Sequence, residues 1–384
     1  MSNLIIILCI WLAAFASLYS DSANSLGLYV MLPVAFVLSF FQNRGLKANV
    51  YFKLLVALIL WICFACLWAE YQDEAFTQLK QLLGTFLLAF IFTTVAKKEG
   101  TVPYLYIGYI ILMLSALRYA NNEILSEIDT DLERLNDDKL NANTLAYYLF
   151  YVTFAVYELG VISKSKPLKV VWDVLFILTI PLTFVISLLT ASRQVFVIQI
   201  PLIIILLYLR YIHNKRLFYK LTFLSVAVGC LFMALPAMTK SYDESVLKTR
   251  NDMDVSDDIR VELIKDAVNV GLDYFPLGVG PGNYVHYSFS GHFSHNNYLE
   301  LFVTVGIVGL IIYLSMMWIF LKRQWIRYRK FKDQQYLFFF IFGVVYVIDG
   351  LFYVFYPYLW LMGVFMLVAA HSESYYNRQV KLVQ

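Results

Sequence analysis

The chain has 384 residues, 60% of them hydrophobic and 15% charged, with a net charge of +3. Soluble domains are much less apolar and more highly charged, so an ordinary soluble enzyme is excluded, and nothing in the charge balance points to nucleic acid. The composition suits a chain whose solvent is largely the lipid bilayer.

In chain order, apolar segments lie near residues 3–19, 27–41, 52–68, 79–96, 102–119, 144–163, 170–189, 194–212, 221–238, 297–321, 335–355 and 357–371. Each is long enough, or nearly so, to cross ~30 Å of hydrocarbon at ~1.5 Å per residue. The expectation is an all-α polytopic membrane protein, one domain over residues 1–384 with about twelve transmembrane helices. The first segment has no basic residues ahead of it and reads as an uncleaved span, not a signal peptide. Cys9, Cys63, Cys66 and Cys230 all fall in apolar runs. The C-x-x-C at 63–66 has no second ligand pair, so these residues read as small apolar side chains rather than redox or zinc ligands.

Alternate loops differ in charge. Arg44, Lys47 and Lys53, then Lys97 and Lys98, then Lys164, Lys166 and Lys169 lie on one side. The same side continues with Arg210 to Lys220, Lys322 to Lys332, and Arg378 and Lys381. The other side holds most of the acids, including the run from Glu123 to Asp138. The positive-inside rule places the basic loops and both termini in the cytoplasm. Two longer loops then face outward: an acidic one at 120–143, and a large helical one at 239–296 between the ninth and tenth spans.

In the large loop, "VSDDIRVELIKDAVNVGLDYF" reads as an amphipathic helix capped by Ser256, with Asp257 and Asp258 in its first turn. Ile259, Leu263, Ala267 and Val268 form its apolar face and Gly271 is placed to end it. Taken alone, Arg260 reads as a solvated helix charge. "PLGVGPGNY", residues 276–284, has G-x-G-x-G spacing with Pro281 inside, which suits a tight turn and not a dinucleotide loop. The D-x-D pairs Asp129/Asp131 and Asp252/Asp254 lack supporting histidines and read as surface, so no metal site and no cofactor is expected. "SGHFSHNNYLELFVTVGIVGL", residues 290–310, places His292, His295 and Asn296 at the mouth of the tenth span. Glu300 is about 140° around the helix from His295 and is not a same-face partner. Asp349 lies inside the outer end of the eleventh span, where an intramembrane acid points to function, and a site arginine is a plausible partner for it. His213, His286 and His371 read as surface or interface residues.

His295-Asn296, nine residues, Gly306, two residues, Gly309 resembles the H-N-x9-G-x-x-G signature of the O-antigen ligase and O-antigen polymerase superfamily. Arg260 with Ile264 resembles that family's R-x-x-x-L helix, with isoleucine where leucine is usual. "GVGPGNY" resembles its glycine turn, "LLTASRQVF" (188–196) its S-R element, and "LNANTLAYYL" (140–149) an asparagine-containing segment of an earlier outer loop. The resemblance implies a membrane enzyme that moves a glycan from undecaprenyl diphosphate to an acceptor hydroxyl, at the outer face of a bacterial inner membrane. It implies Arg193, Arg260 and His295 as the functional trio. The acceptor is lipid A-core for a ligase, which is the leading reading, or another lipid-linked repeat unit for an O-antigen, capsular or exopolysaccharide polymerase.

That chemistry suits these residue types. Cleavage of a sugar–diphosphate bond leaves negative charge on phosphate, and arginine offers a permanent, planar, two-pronged donor for it. The acceptor hydroxyl loses a proton as it attacks, and imidazole, titrating near ~6.5, can take it. Asn296 could orient substrate or imidazole. Gly306 and Gly309 are expected to form a small-residue face for helix packing, and His295 is expected to be held by the helix it begins. His292 lies outside the motif. A flippase or transporter would show inverted repeats and mid-membrane ionisable groups. A purely structural scaffold would have no use for the cluster, and a protein O-glycosyltransferase usually carries a larger outer domain.

Overall fold

The computed structural model describes residues 2–42, 48–126, 142–190, 198–213, 215–222, 224–225 and 259–383. Every regular element among them is helical. Among the described residues, six helical segments are long and apolar enough to cross a membrane: Asp21–Gln42, Val50–Trp68, Gln72–Val95, Val102–Tyr119, Thr144–Ile162 and Asn297–Phe331. Asn3–Ala16, Ile200–Ile212 and Gln334–Asp349 are shorter apolar helices. The expected span at 170–189 falls within the helix Lys166–Thr190, the one at 357–371 starts two residues too early for its helix Leu359–Val383, and the one at 221–238 lies mostly outside the described residues. The expected span 335–355 is too long: its helix stops at Asp349, and residues 350–358 form a non-helical connection.

The chain divides into two compact units, one of Met1–Ala13, Ser25–Leu105 and Val255–Gln384, the other of Ala14–Asn24 and Tyr106–Asp254. In the first unit, the helix Asn297–Phe331 packs against Val50–Ala65 and Gln334–Asp349, and Leu359–Val383 packs against Gln72–Val95. Loop polar residues start these helices. Asn49 accepts from the Phe52 amide at 2.8 Å, and Asp333 from the Gln335 amide at 2.9 Å, each satisfying a donor that a helix start leaves unpaired. One end of the bundle is basic. There Arg327 pairs with Glu373 at 2.8 Å and Arg323 with the same carboxylate at 3.3 Å. His371 is not a surface residue: it is 1% exposed and packs edge-on against Phe339. Cys66 is buried with Ala69 and Ala75, and Cys9, Cys63 and Cys66 are free thiols.

In the second unit, Ala142–Ile162 and Lys166–Thr190 form a close antiparallel pair. Two buried polar side chains of this unit, Gln199 and Arg210, pair with neighbouring helices. Gln199 donates to Thr153 at 2.6 Å, and Arg210 pairs with Asp173 while donating to the Tyr157 carbonyl at 2.8 Å. Pairing of this kind is what apolar surroundings demand of polar side chains.

Candidate active site

The first unit's other end gathers the 66–75 connection, residues 259–300, and the 350–358 connection. Its central feature is a break in the long helix Asn297–Phe331. Gly306 sits at φ 69°, ψ −170°, a region that in practice only glycine occupies. In an unbroken helix, the Val303 carbonyl would accept from the Ile307 amide and the Thr304 carbonyl from Val308. Instead Val303 accepts from Val279 at 2.8 Å and Thr304 from Gly280 at 2.8 Å, while Ile307 donates to Pro276 at 3.1 Å. The Val305 carbonyl takes the Trp61 indole N–H at 2.7 Å, and Trp68 donates to the Gly278 carbonyl at 3.1 Å. The 276–280 turn therefore supplies new partners for the Val303 and Thr304 carbonyls and the Ile307 amide, which the break at Gly306 leaves without helix bonds, as backbone in apolar surroundings requires.

This corrects the expectation for Gly306, which serves as a backbone wedge site and not as part of a packing face. Gly309 does lie at a close approach, with Trp61 3.2 Å from where its Cβ would stand. The "GVGPG" residues form the expected tight turn, with Gly278, Gly280 and Gly282 all at positive φ. Gly278 illustrates why: a Cβ there would meet the Val303 carbonyl oxygen at 2.7 Å.

Helix Ile259–Asp273 precedes that turn and buries Leu263 and Ala267. Val268 and Ile264 are exposed, so the apolar face is narrower than expected. Gly271 does not end the helix; it lies within the last turn against the Phe302 ring. Asp266 accepts a 2.8 Å bond from the Tyr284 hydroxyl, and burial together with that bond raises the phenol's pKa, keeping it a donor. The following residues anchor on the 66–75 connection. Buried Asn283 accepts from the Tyr71 amide at 2.7 Å and donates to the Tyr71 carbonyl at 3.1 Å. His286 stacks on the Tyr71 ring at 3.7 Å, and Tyr287 donates to Glu70 at 2.7 Å. The Glu70 bond, with burial second, raises the Tyr287 pKa.

The histidine motif lies where this platform meets the helix. His295 is not the first residue of the helix. Asn296 is the N-cap, its Oδ1 accepting from Tyr298 at 3.0 Å and Leu299 at 3.1 Å, so its carbonyl side is committed to the helix start. Its amide nitrogen donates to the Leu351 carbonyl at 3.3 Å. His295 stands one residue earlier with a left-handed backbone, φ 51°. Its ring lies 4.3 Å from the Phe293 ring, centre to centre. Before it, Ser294 is tied to Glu300: the carboxylate accepts from the Ser294 amide at 2.9 Å, and the hydroxyl lies 2.8 Å from the same oxygen. Asn297 is wholly buried. Its side-chain oxygen accepts from the Phe355 and Tyr356 amides at 2.7 and 2.9 Å, and its own amide donates to Gly350.

The expected site residues thus fall as follows. His295, Asn296, Gly306 and Gly309 form one continuous structure in the first unit. Asp349 is fully buried at the end of the helix Gln334–Asp349, immediately before the Gly350 carbonyl that Asn297 grips. His292 is exposed, its amide donating to Ser290 at 3.3 Å. Arg260 occupies the first turn of the helix Ile259–Asp273, but its side chain is not among the described ones. Arg193, both D-x-D pairs and Ser256 to Asp258 lie outside the described residues, as does most of the 120–143 loop. Ser294 and Asn297 carry no signal in the sequence, and Glu300, set apart from His295 by helix periodicity, reaches the same turn through Ser294. The spacing conceals them, because the left-handed residue at 295 turns the chain back, bringing Ser294 to Glu300 across an interval that no helix periodicity reports.

Residues 176–314 match the family described as O-antigen ligase. The matched span includes Arg193, Arg260, His295, Asn296, Gly306 and Gly309, and ends before Asp349. No curated protein matches the chain significantly. The match and the apolar helices together support a multi-pass membrane protein of the O-antigen ligase or polymerase type.

Proposed function

The chain carries an O-antigen ligase domain at residues 176–314, and from that premise we propose that it moves a glycan from undecaprenyl diphosphate to an acceptor hydroxyl outside the bacterial inner membrane. The observation that carries the reading is the His295 turn: an imidazole held at the start of a broken apolar helix, inside the matched span. His295 takes the proton from the acceptor hydroxyl. The acceptor oxygen then bonds to the anomeric carbon as the bond from that carbon to the diphosphate breaks, and undecaprenyl diphosphate leaves. Arg193 and Arg260 hold the diphosphate and meet its developing charge. Asn296 fixes the helix start from which the histidine is presented, and Asp349 is kept as a candidate partner for one of the arginines. Transfer is proposed to need no metal.

Arg193→Ala and Arg260→Ala are each expected to lower transfer on the order of 100-fold or more while the protein still accumulates in membranes. Lysine at either position rescues in part, because a point charge lacks the guanidinium fork. Glycan gels of complemented deletion cells read this directly, and full activity of both alanine variants removes the arginines from the mechanism. The same gel separates acceptors. A deletion that leaves long polymer on the carrier and none on lipid A-core marks a ligase; one that leaves a single repeat on the core marks a polymerase.

The proposed orientation places both termini in the cytoplasm and residues 239–296 outside. With the native cysteines replaced, Ser290→Cys is expected to react with a membrane-impermeant maleimide in intact spheroplasts. Labelling only after lysis reverses the orientation.

A further inference from the structure

Resting on that reading of His295, we propose that Glu300 is a positioning residue for it, acting through Ser294. Glu300 is 6% exposed, and among the described residues its carboxylate accepts hydrogen bonds from Ser294 alone, through the amide at 2.9 Å and the hydroxyl at 2.8 Å. A buried carboxylate commits strongly to such donors. The Ser294 hydroxyl has one proton and also lies 2.9 Å from the Asn296 carbonyl; the carboxylate is the stronger acceptor, and the Asn296 amide donates back into the hydroxyl oxygen at 3.3 Å. His295 is therefore bracketed. Glu300 holds the residue before it, and the Asn296 cap holds the residue after it. Between these two clamps the backbone of His295 takes a left-handed conformation that a non-glycine residue adopts only when its surroundings impose it. That conformation sets the direction in which the Cα–Cβ bond leaves the chain, and so where the imidazole can reach. Glu300 is on the far side of the helix by simple periodicity, yet the turn brings the preceding serine to it. A carboxylate holding only a serine one residue from the base has a consequence for catalysis distinct from that for substrate binding.

The test uses the purified full-length protein and the undecaprenyl-diphosphate-linked glycan extracted from deletion cells. Glu300→Gln, Ser294→Ala, His295→Ala and the double variant Glu300→Gln/His295→Ala are compared for kcat, for donor KM and for donor binding. Glu300→Gln and Ser294→Ala are expected to lower kcat by roughly 10- to 100-fold with donor KM and binding unchanged, as a displaced base does. In the His295→Ala background, Glu300→Gln is expected to cost nothing further, because the group it positions is gone. Wild-type kcat in Glu300→Gln, or a loss that multiplies undiminished onto His295→Ala, overturns the proposal. If Glu300→Gln does not accumulate, Ser294→Ala with and without His295→Ala decides by the same two criteria. A fully active His295→Ala protein is a separate result: it removes the reading of His295 itself, whereas an inactive His295→Ala beside an active Glu300→Gln removes only the role of Glu300.

Discussion

His295→Ala is expected to eliminate glycan transfer in cells and to lower the purified rate by ~10²- to 10⁴-fold, while the lipid-linked donor still binds. The two substrates depend on different side chains. Donor affinity is assigned to arginine and diphosphate, which the substitution leaves alone. The proton of the acceptor hydroxyl is assigned to the imidazole, which has no substitute at that position, since Ser294 is committed to Glu300 and the Asn296 carbonyl oxygen to the helix amides. His295→Asn should be as inactive as alanine, because an amide cannot accept a proton at neutral pH. The rate should also fall on acidification, since a protonated ring cannot act as base. His292→Ala should be mild, as that side chain is exposed in the preceding loop. Equal losses at both histidines, or a rate indifferent to acid, would move proton transfer to water or to the leaving phosphate.

Gly306→Ala is the second large effect, and it concerns the frame and not the chemistry. At φ 69° and ψ −170° an alanine is strained by ~1–3 kcal/mol. Its Cβ would also overlap the Pro276 carbonyl oxygen and stand 2.6 Å from the Leu277 carbonyl carbon. Relief requires the 276–280 turn to move away, giving up the bonds of Val279, Gly280 and Ile307 at about 1 kcal/mol each. A total loss on the order of 4–6 kcal/mol follows, enough to lower the protein's melting temperature sharply or its yield in membranes. Gly309→Ala keeps a helical backbone and meets only side chains, that of Val305 and the edge of Trp61 at 3.2 Å, so it should cost less. Comparable melting temperatures for Gly306→Ala and wild type would show that the turn does not depend on a glycine there.

Sequence alone determined the solvent of this protein, its helical class and the identity of its motif residues. Those properties are additive. Apolar runs, loop charge and residue spacing can each be read locally, and the H-N-x9-G-x-x-G pattern names its residues whatever surrounds them. Two similar glycines looked alike in that reading, and the tertiary structure divided them: Gly309 faces Trp61, whereas Gly306 breaks the helix to admit a turn thirty residues away in sequence. The break was illegible because a backbone carbonyl's partner depends on which distant segment reaches it, and the carbonyls of Val303 and Thr304 carry no side-chain signature of being vacated. The same holds at the motif's other end. His295 was visible as a titratable group at a span mouth, but its left-handed backbone, its place ahead of the Asn296 cap and the hold of Glu300 on Ser294 arise only once the chain turns back on itself. Periodicity assumes a regular backbone, and it fails where the functional residue sits, because that residue is the one the fold takes out of the helix.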